Sequence, residues 1–305
     1  MALAKDLRMP LQPLYKFLDV EGAKKTLGNR CFRHAKPSSF NDTEDLTVAG
    51  IFRESAEEAI AIMAANLIDV IMKNLHRPPL CLGKALRANI ESFQKVLKKN
   101  PTLAANLKLA IASNAGIFNL GAPVMESLAK ETIDGIDALM QRHRVLCVTT
   151  ALDSEKMWSD YTKNKGIALR IEGNPAKASK FECFEKVSYF EMRPVLYDDV
   201  VAYVEGALFA DRTARNLEPM RKIIYWKTLE WSHENEYRLA IFLSDGEEWE
   251  TLSYHPEEIT ELYLGVGMDE ADKADIQQKA TAVNSAIKIF RMKRSEAGSL
   301  VWNML

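Results

Sequence analysis

No two cysteines in this sequence stand close enough to build a zinc knuckle or a redox couple; Cys31, Cys81, Cys147 and Cys183 are scattered along 305 residues. They read instead as small buried hydrophobes in a reducing compartment. There is no apolar run near the roughly 18 residues that a membrane helix needs. The stretch Met1–Pro13 carries Lys5, Asp6 and Arg8 where a signal peptide would be apolar. A cytoplasmic protein with no membrane partner is therefore expected. Neither charge dominates: the formal net charge is −2, so there is no strong general nucleic-acid signature. Glycine-rich dinucleotide fingerprints, phosphate loops and nucleophile elbows are all missing. His34, His76, His143, His233 and His255 contain no pair at ligand spacing, so no metal is expected.

What is present is ordinary globular material, 47% hydrophobic and 27% charged. Leu14-Tyr15-Lys16-Phe17 reads as a short strand, and Val20 to Leu27 as a helix closed by Gly28. Cys31 to Ala35 reads as a second strand, running into the turn chemistry of Pro37-Ser38-Ser39-Phe40-Asn41-Asp42. From Glu54 to Arg144 the pattern is helical. Ile60, Met63, Leu67, Val70 and Ile71 recur at helical spacing, and Leu86, Ile90, Phe93 and Leu97 repeat it. Asn100-Pro101 opens a further helix, and another covers about Val124 to Gln141. The chain then returns to strands at Val145–Thr150, Gly166–Ile171, Val187–Met192, Tyr237–Leu243, Glu261–Leu264 and Ala286–Met292. A short helix capped by Asp153 or Ser154 runs through Tyr161, and another spans Glu270 to Val283. Strands separated by both helices and hairpin-length gaps predict an α+β fold with a mixed, mainly antiparallel sheet core. The whole chain, 1–305, is read as a single domain, with 54–144 as an α-helical insertion or subdomain.

Five stretches in order resemble the bacterial family filed as domain of unknown function 2971. They are Leu14-Tyr15-Lys16-Phe17; Phe40-Asn41-Asp42; Met157-Trp158-Ser159-Asp160-Tyr161 with Gly166; Trp231-Ser232-His233-Glu234-Asn235-Glu236-Tyr237-Arg238; and Ile259 to Gly265. The chain departs from the family pattern at Thr43, Asp160 and His233. The opening strand–helix–strand also resembles the start of ADP-ribosyltransferases. That resemblance implies a site for NAD as co-substrate: a polar or basic residue on the first strand, a middle aromatic or serine, and a late glutamate. On this chain it implies Glu236 and Glu234 as the catalytic pair, with Tyr15, Lys16, Asn41, Trp158, Ser159, Tyr161 and Arg238 around the NAD. It further implies transfer of ADP-ribose to a macromolecular or small-molecule acceptor, in enzymes that often serve as toxins or in phage defence.

The chemistry such a site needs is a carboxylate beside the cationic ribosyl centre and an aromatic face for the nicotinamide. Glu234 and Glu236 are two apart, and on a strand residues two apart share a face. Each residue also has a purely structural reading. Glu234, Glu236 and Arg238 suit a cross-strand charge network, with Arg238 as the neutralising partner. Trp158 and Trp231 suit core anchors, Lys16 a snorkelling surface cation, and Asn41 and Asp42 a self-bonded turn. Two rivals to the enzyme reading therefore stand: a non-catalytic binding module with the helical block as protein-partner surface, and a hydrolase or nuclease in which Glu234 and Glu236 hold a divalent ion.

Overall fold

The computed structural model describes residues 12–40, 42–80, 84–113, 122–210, 212–244, 247–248, 250–296 and 299–305. Most of the Met1–Pro13 stretch, together with Asn41 and Cys81, lies outside them. In chain order the elements are β1 (Leu14–Leu18), α1 (Val20–Asn29), β2 (Cys31–Arg33), α2 (Ala56–Lys73), α3 (Lys84–Lys99), α4 (Leu103–Ser113) and α5 (Ala122–Gln141). Then follow β3 (His143–Thr149), α6 (Glu155–Thr162), β4 (Ile167–Ile171), β5 (Glu185–Lys186), β6 (Ser188–Phe190), α7 (Val200–Phe209) and α8 (Arg212–Tyr225). Last come β7 (Trp226–Thr228), β8 (Glu236–Phe242), β9 (Thr251–Ser253), β10 (Ile259–Leu264), α9 (Glu270–Val283), β11 (Lys288–Arg294) and β12 (Leu300–Met304).

Two compact units share this chain. The first takes residues 1–45, 141–192 and 227–305 and is built on an eight-stranded sheet in the order β12-β11-β10-β4-β1-β3-β8-β5. Every neighbouring pair is antiparallel except β10 and β11, which run parallel with α9 as the crossover between them. The α+β class read from the sequence is what the chain adopts. Strand alternation sends Leu14, Leu146, Val148, Leu169, Leu239 and Leu262 to one face, where they pack with α1 and α9. The opposite face carries Tyr15, Phe17, Ala168 and Tyr263, covered by Met157 and Trp158 of α6.

The second unit takes residues 46–140 and 193–226 and is helical. Met63, Leu67, Ile68 and Ile71 of α2 form its core with Ile90 and Leu97 of α3 and Val204 and Leu208 of α7. Ser55 starts α2 with a capping box: its hydroxyl accepts from the Glu58 amide at 3.3 Å, and the Glu58 carboxylate accepts from the Ser55 amide at 2.9 Å.

Several boundaries differ from the sequence reading. Helix α1 runs past Gly28 to Asn29, and Arg30 takes the left-handed cap at φ 52°. Helix α4 begins at Leu103, two residues after Pro101. Helices α7 and α8 were not read at all. Cys31 and Cys147 are half-buried, whereas Cys183 is exposed at the end of a 3-10 turn and departs from the buried position expected of it.

Candidate functional site

The sheet unit contains a cavity of about 590 Å³, within the usual range for a small-molecule site. Its floor is the face on which β1, β3 and β8 lie side by side. The register aligns Tyr15 with Thr149 and Thr149 with Glu236, and places Cys147 opposite Arg238. Side chains directly opposite one another in a ladder share a face, so these groups converge. The walls are α6, the end of the 3-10 turn Pro37–Ser39 with Phe40, Asp42 and Asp45, and the 3-10 turn Leu229–Glu234.

Of the residues expected at the site, Tyr15, Lys16, Tyr161, Glu234 and Glu236 all line this one cavity. Lys16 gets there against the strand period. Its neighbours Leu14 and Leu18 pack into the core on the other face. However, β1 and β3 pair only at Tyr15 and Thr149, and then part. The Lys16 ammonium turns into that gap and donates to the Cys147 carbonyl at 3.0 Å, taking the place of a ladder bond. Arg238 is fully buried and is not among the lining residues; it sits behind Glu236 as its counter-ion. Trp158 is fully buried as well. Its indole donates to the Leu152 carbonyl at 2.8 Å, and its ring meets the Phe17 ring edge-on with centroids 4.8 Å apart. Ser159 is exposed, and its hydroxyl is bonded to the Lys156 carbonyl and the Asp160 carboxylate, each at 3.0 Å. Neither Trp158 nor Ser159 is brought to the cavity. Asn41 lies outside the described residues, while its neighbours Phe40 and Asp42 line the cavity.

The two glutamates converge, but not by strand alternation. Glu234 ends the 3-10 turn, Asn235 takes the left-handed conformation at φ 43°, and β8 starts at Glu236. The Thr149 hydroxyl donates to the Glu234 carbonyl and accepts from the Ala151 amide at 2.8 Å, which ties this corner to the end of β3. The Glu234 carboxylate accepts from the Tyr161 hydroxyl and, at 2.6 Å, from the Lys227 ammonium. Glu236 is gripped by Arg238, with Nε to Oε1 at 2.7 Å and Nη2 to Oε2 at 3.0 Å. Lys227 also approaches Glu236 at 3.3 Å and Asp45 at 3.6 Å, and Asp45 accepts from Arg238 at 2.6 Å.

These contacts set the ionisation states. Burial pushes the Glu236 carboxyl up, but the Arg238 guanidinium and its hydrogen bonds, with Lys227 behind them, bring it down to about 2. Glu234 moves the other way, because burial and the charge of Glu236 outweigh Lys227. Burial and the adjoining Glu234 push the Tyr161 hydroxyl up, which keeps it a proton donor. Burial lowers Lys227, yet Glu236, Glu234 and Asp45 together raise it. The Cys147 thiol is held well up by burial and by Glu236, so it is a neutral wall group rather than a nucleophile. Lys227, Asp45 and Thr149 had no place in the sequence reading. No group of three or more His, Cys, Asp or Glu placed to hold a metal ion occurs among the described residues. Among those residues, no helix is long and apolar enough to cross a membrane.

Residues 157–239 match the family described as Protein of unknown function (DUF2971), so the family resemblance carried by the motifs is borne out over that stretch. The match takes in α6, β4 and the corner that holds Lys227, Glu234, Glu236 and Arg238. No curated protein and no solved structure matches the chain.

Proposed function

We propose that the cavity binds NAD and breaks its nicotinamide–ribose bond, passing ADP-ribose to an acceptor or to water. The observation that supports this most is the meeting of Lys16, Tyr161 and the pair Glu234 and Glu236, drawn from three distant stretches of chain, around one cavity of about 590 Å³. In this reading the C–N bond breaks with its electron pair leaving on nicotinamide, and the ribosyl centre becomes cationic. A carboxylate fixed beside that centre lowers the barrier.

Glu234 suits this task better than Glu236. Glu236 has both oxygens taken by one guanidinium, whereas each Glu234 oxygen accepts a single bond and keeps a lone pair for a ribose hydroxyl or the cation. Tyr161 would hold Glu234 in place, and Lys16 would meet an anionic part of the ligand. Recognition of a macromolecular acceptor would fall to the helical unit, which exposes Leu80 and Leu109.

The test is nicotinamide release from labelled NAD by the full chain, supplied with candidate acceptors and with none. Release at a rate cut at least about 100-fold by Glu234→Gln, a ~3 kcal/mol loss of transition-state stabilisation, supports the reading. Failure of the wild type to release nicotinamide overturns it.

One observation favours the non-catalytic binding module instead: Glu236, Glu234 and Asp45 are all satisfied by cations of the protein itself. Calorimetric NAD binding without turnover would select that reading. The same saturation weighs against a divalent-ion hydrolase, since a metal would have to displace Lys227 from Glu234.

A further inference from the structure

The large sheet has two unlike edges. At one end β5 is two residues long, and both of them, Glu185 and Lys186, are charged. A short, charged last strand is a device that keeps foreign strands from pairing. At the other end β12 runs for five residues, Leu300–Met304, in unbroken register with β11 from Phe290↔Met304 to Arg294↔Leu300. It has no charged side chain, no proline and no bulge, and β11 is its only strand neighbour among the described residues. Val301, Met304 and the adjoining Leu305 are apolar and exposed. One edge is blunted and the other is left fit for pairing.

Hydrogen bonds fix which way each backbone group of β12 points. The Leu305 amide donates to the Ile289 carbonyl, and the Ser295 amide to the Ser299 carbonyl, both at 2.9 Å. In an antiparallel ladder, residues that exchange bonds alternate with residues that do not. In this register Val301 and Asn303 therefore bond to Lys293 and Arg291 of β11. The N–H and C=O groups of Leu300, Trp302 and Met304 point away from the sheet.

These three residues are evenly spaced about Trp302. A second β12, turned about a twofold axis through Trp302, sets Leu300 opposite Met304 and Trp302 opposite itself. Each outward N–H then meets an outward C=O, which is the self-complementarity that an isologous contact requires. Leu300 and Trp302 pack on the α6 side of the sheet, and on the other side Val301 comes to face Asn303. No two like charges become neighbours. The nearest basic strand is β11, with Lys288, Arg291, Lys293 and Arg294. Two such strands would lie three strand spacings apart, about 14 Å, beyond the screening length of about 8 Å at physiological ionic strength. Arg291 and Arg294 are in addition paired with Glu270 at 2.5 Å and Glu155 at 2.8 Å.

We propose that two copies of this chain associate through β12, edge to edge and antiparallel about Trp302, so that their sheets join into one. The contact is independent of the cavity chemistry, because β12, β11, β10 and β4 all precede β1 in the sheet order, and the cavity floor lies on β1, β3 and β8.

Sedimentation velocity of the full chain over a concentration series is expected to show a dimer that dissociates on dilution. Met304→Pro removes one outward N–H from each copy and leaves every bond to β11 in place, and proline is tolerated on an edge strand. It should raise the dimer dissociation constant at least about tenfold, with the circular dichroism spectrum unchanged. Amide exchange followed residue by residue by NMR is specific to this edge. The Leu300, Trp302 and Met304 amides should be protected in the dimer and exchange freely on dilution, while those of Val301 and Asn303 stay protected in both. A monomer at every concentration, a dimer that Met304→Pro leaves intact, or outward amides that exchange freely in the dimer would each overturn the proposal. Protection of those amides in the monomer would overturn it too, since another part of the chain would then hold the edge. Should Met304→Pro not fold, the exchange pattern of the unaltered chain decides alone.

Discussion

Arg238 is what allows a carboxylate to be buried on β8. It is fully buried and gives hydrogen bonds to Glu236 at 2.7 and 3.0 Å and to Asp45 at 2.6 Å. Removing one partner of a buried pair leaves the other charge stranded, so Arg238→Met should cost about 3–5 kcal/mol of stability, read as a lower urea midpoint at pH 7. A loss under ~1 kcal/mol would mean that water reaches Glu236 and the pair is not buried in solution. The pH dependence has a definite sign. The Glu236 pKa falls from 4.5 to about 2 on folding, so its contribution is fully present above pH 4.5 and is lost as pH drops toward 2. The difference in unfolding free energy between wild type and Glu236→Gln should therefore shrink by roughly 3 kcal/mol between pH 5 and pH 2; a difference flat with pH would contradict the ion pair. Glu236, Arg238, Tyr161 and Lys16 were legible in the sequence because they stand inside short motifs. Lys227 and Asp45 were not. Asp45 is 193 positions from the arginine it binds, and a lone charge in a loop carries no periodicity that could signal a distant partner.

Helix α6 owes its position to a turn that tolerates no side chain. It ends at Thr162 with Lys163 and Asn164 in left-handed conformations, and a Cβ built on Gly166 would lie 2.0 Å from the Leu18 carbonyl oxygen and 2.8 Å from the Thr162 Cβ. The first of these obstacles is the backbone of β1 itself, which cannot rotate away. Gly166→Ala should therefore cost about 3 kcal/mol or more. It should also weaken ligand binding, because α6 carries Tyr161 and Met157 into the cavity wall. Ser55→Ala breaks only the cap of α2 and should cost about 1 kcal/mol with ligand affinity unchanged. Thermal melts and calorimetry on both variants test the contrast; equal effects on affinity would contradict it. Elements with a clean period, such as β1, α2, β3, β4 and α9, were legible to within a few residues. Those without one were not. Helix α7, VVAYVEGALF, has few polar positions to mark an amphipathic stripe, and α8 contains Pro219, an ordinary stop signal. The corner Glu234–Asn235–Glu236 was read as continuous strand because acidic residues two apart fit a strand as well as they fit a turn.

Two separate hydrophobic cores run through one chain that passes from sheet to helices and back more than once. The sheet core is built from Leu14, Leu169, Leu239 and Leu262 with α1 and α9, and the helical core from α2, α3 and α7. Only part of the helical unit was legible as a block, since residues 193–226 return to it after the strands β3 to β6 have intervened. A short apolar segment does not advertise which of two cores it will join. Every residue of the candidate cavity belongs to the sheet unit, so damage to the helical core should be separable from damage to binding. Ile68 is fully buried in α2, which packs on α4 and α7. Ile68→Ala should destabilise the helical unit by about 2–5 kcal/mol. In hydrogen exchange followed by mass spectrometry, amides of α2, α4 and α7 should then exchange faster while those of β1, β3 and β8 keep their wild-type protection. Nicotinamide release from NAD should be retained. Loss of protection in both sets together would show that the two cores unfold as one cooperative structure, and the helices would then have to count among the supports of the cavity.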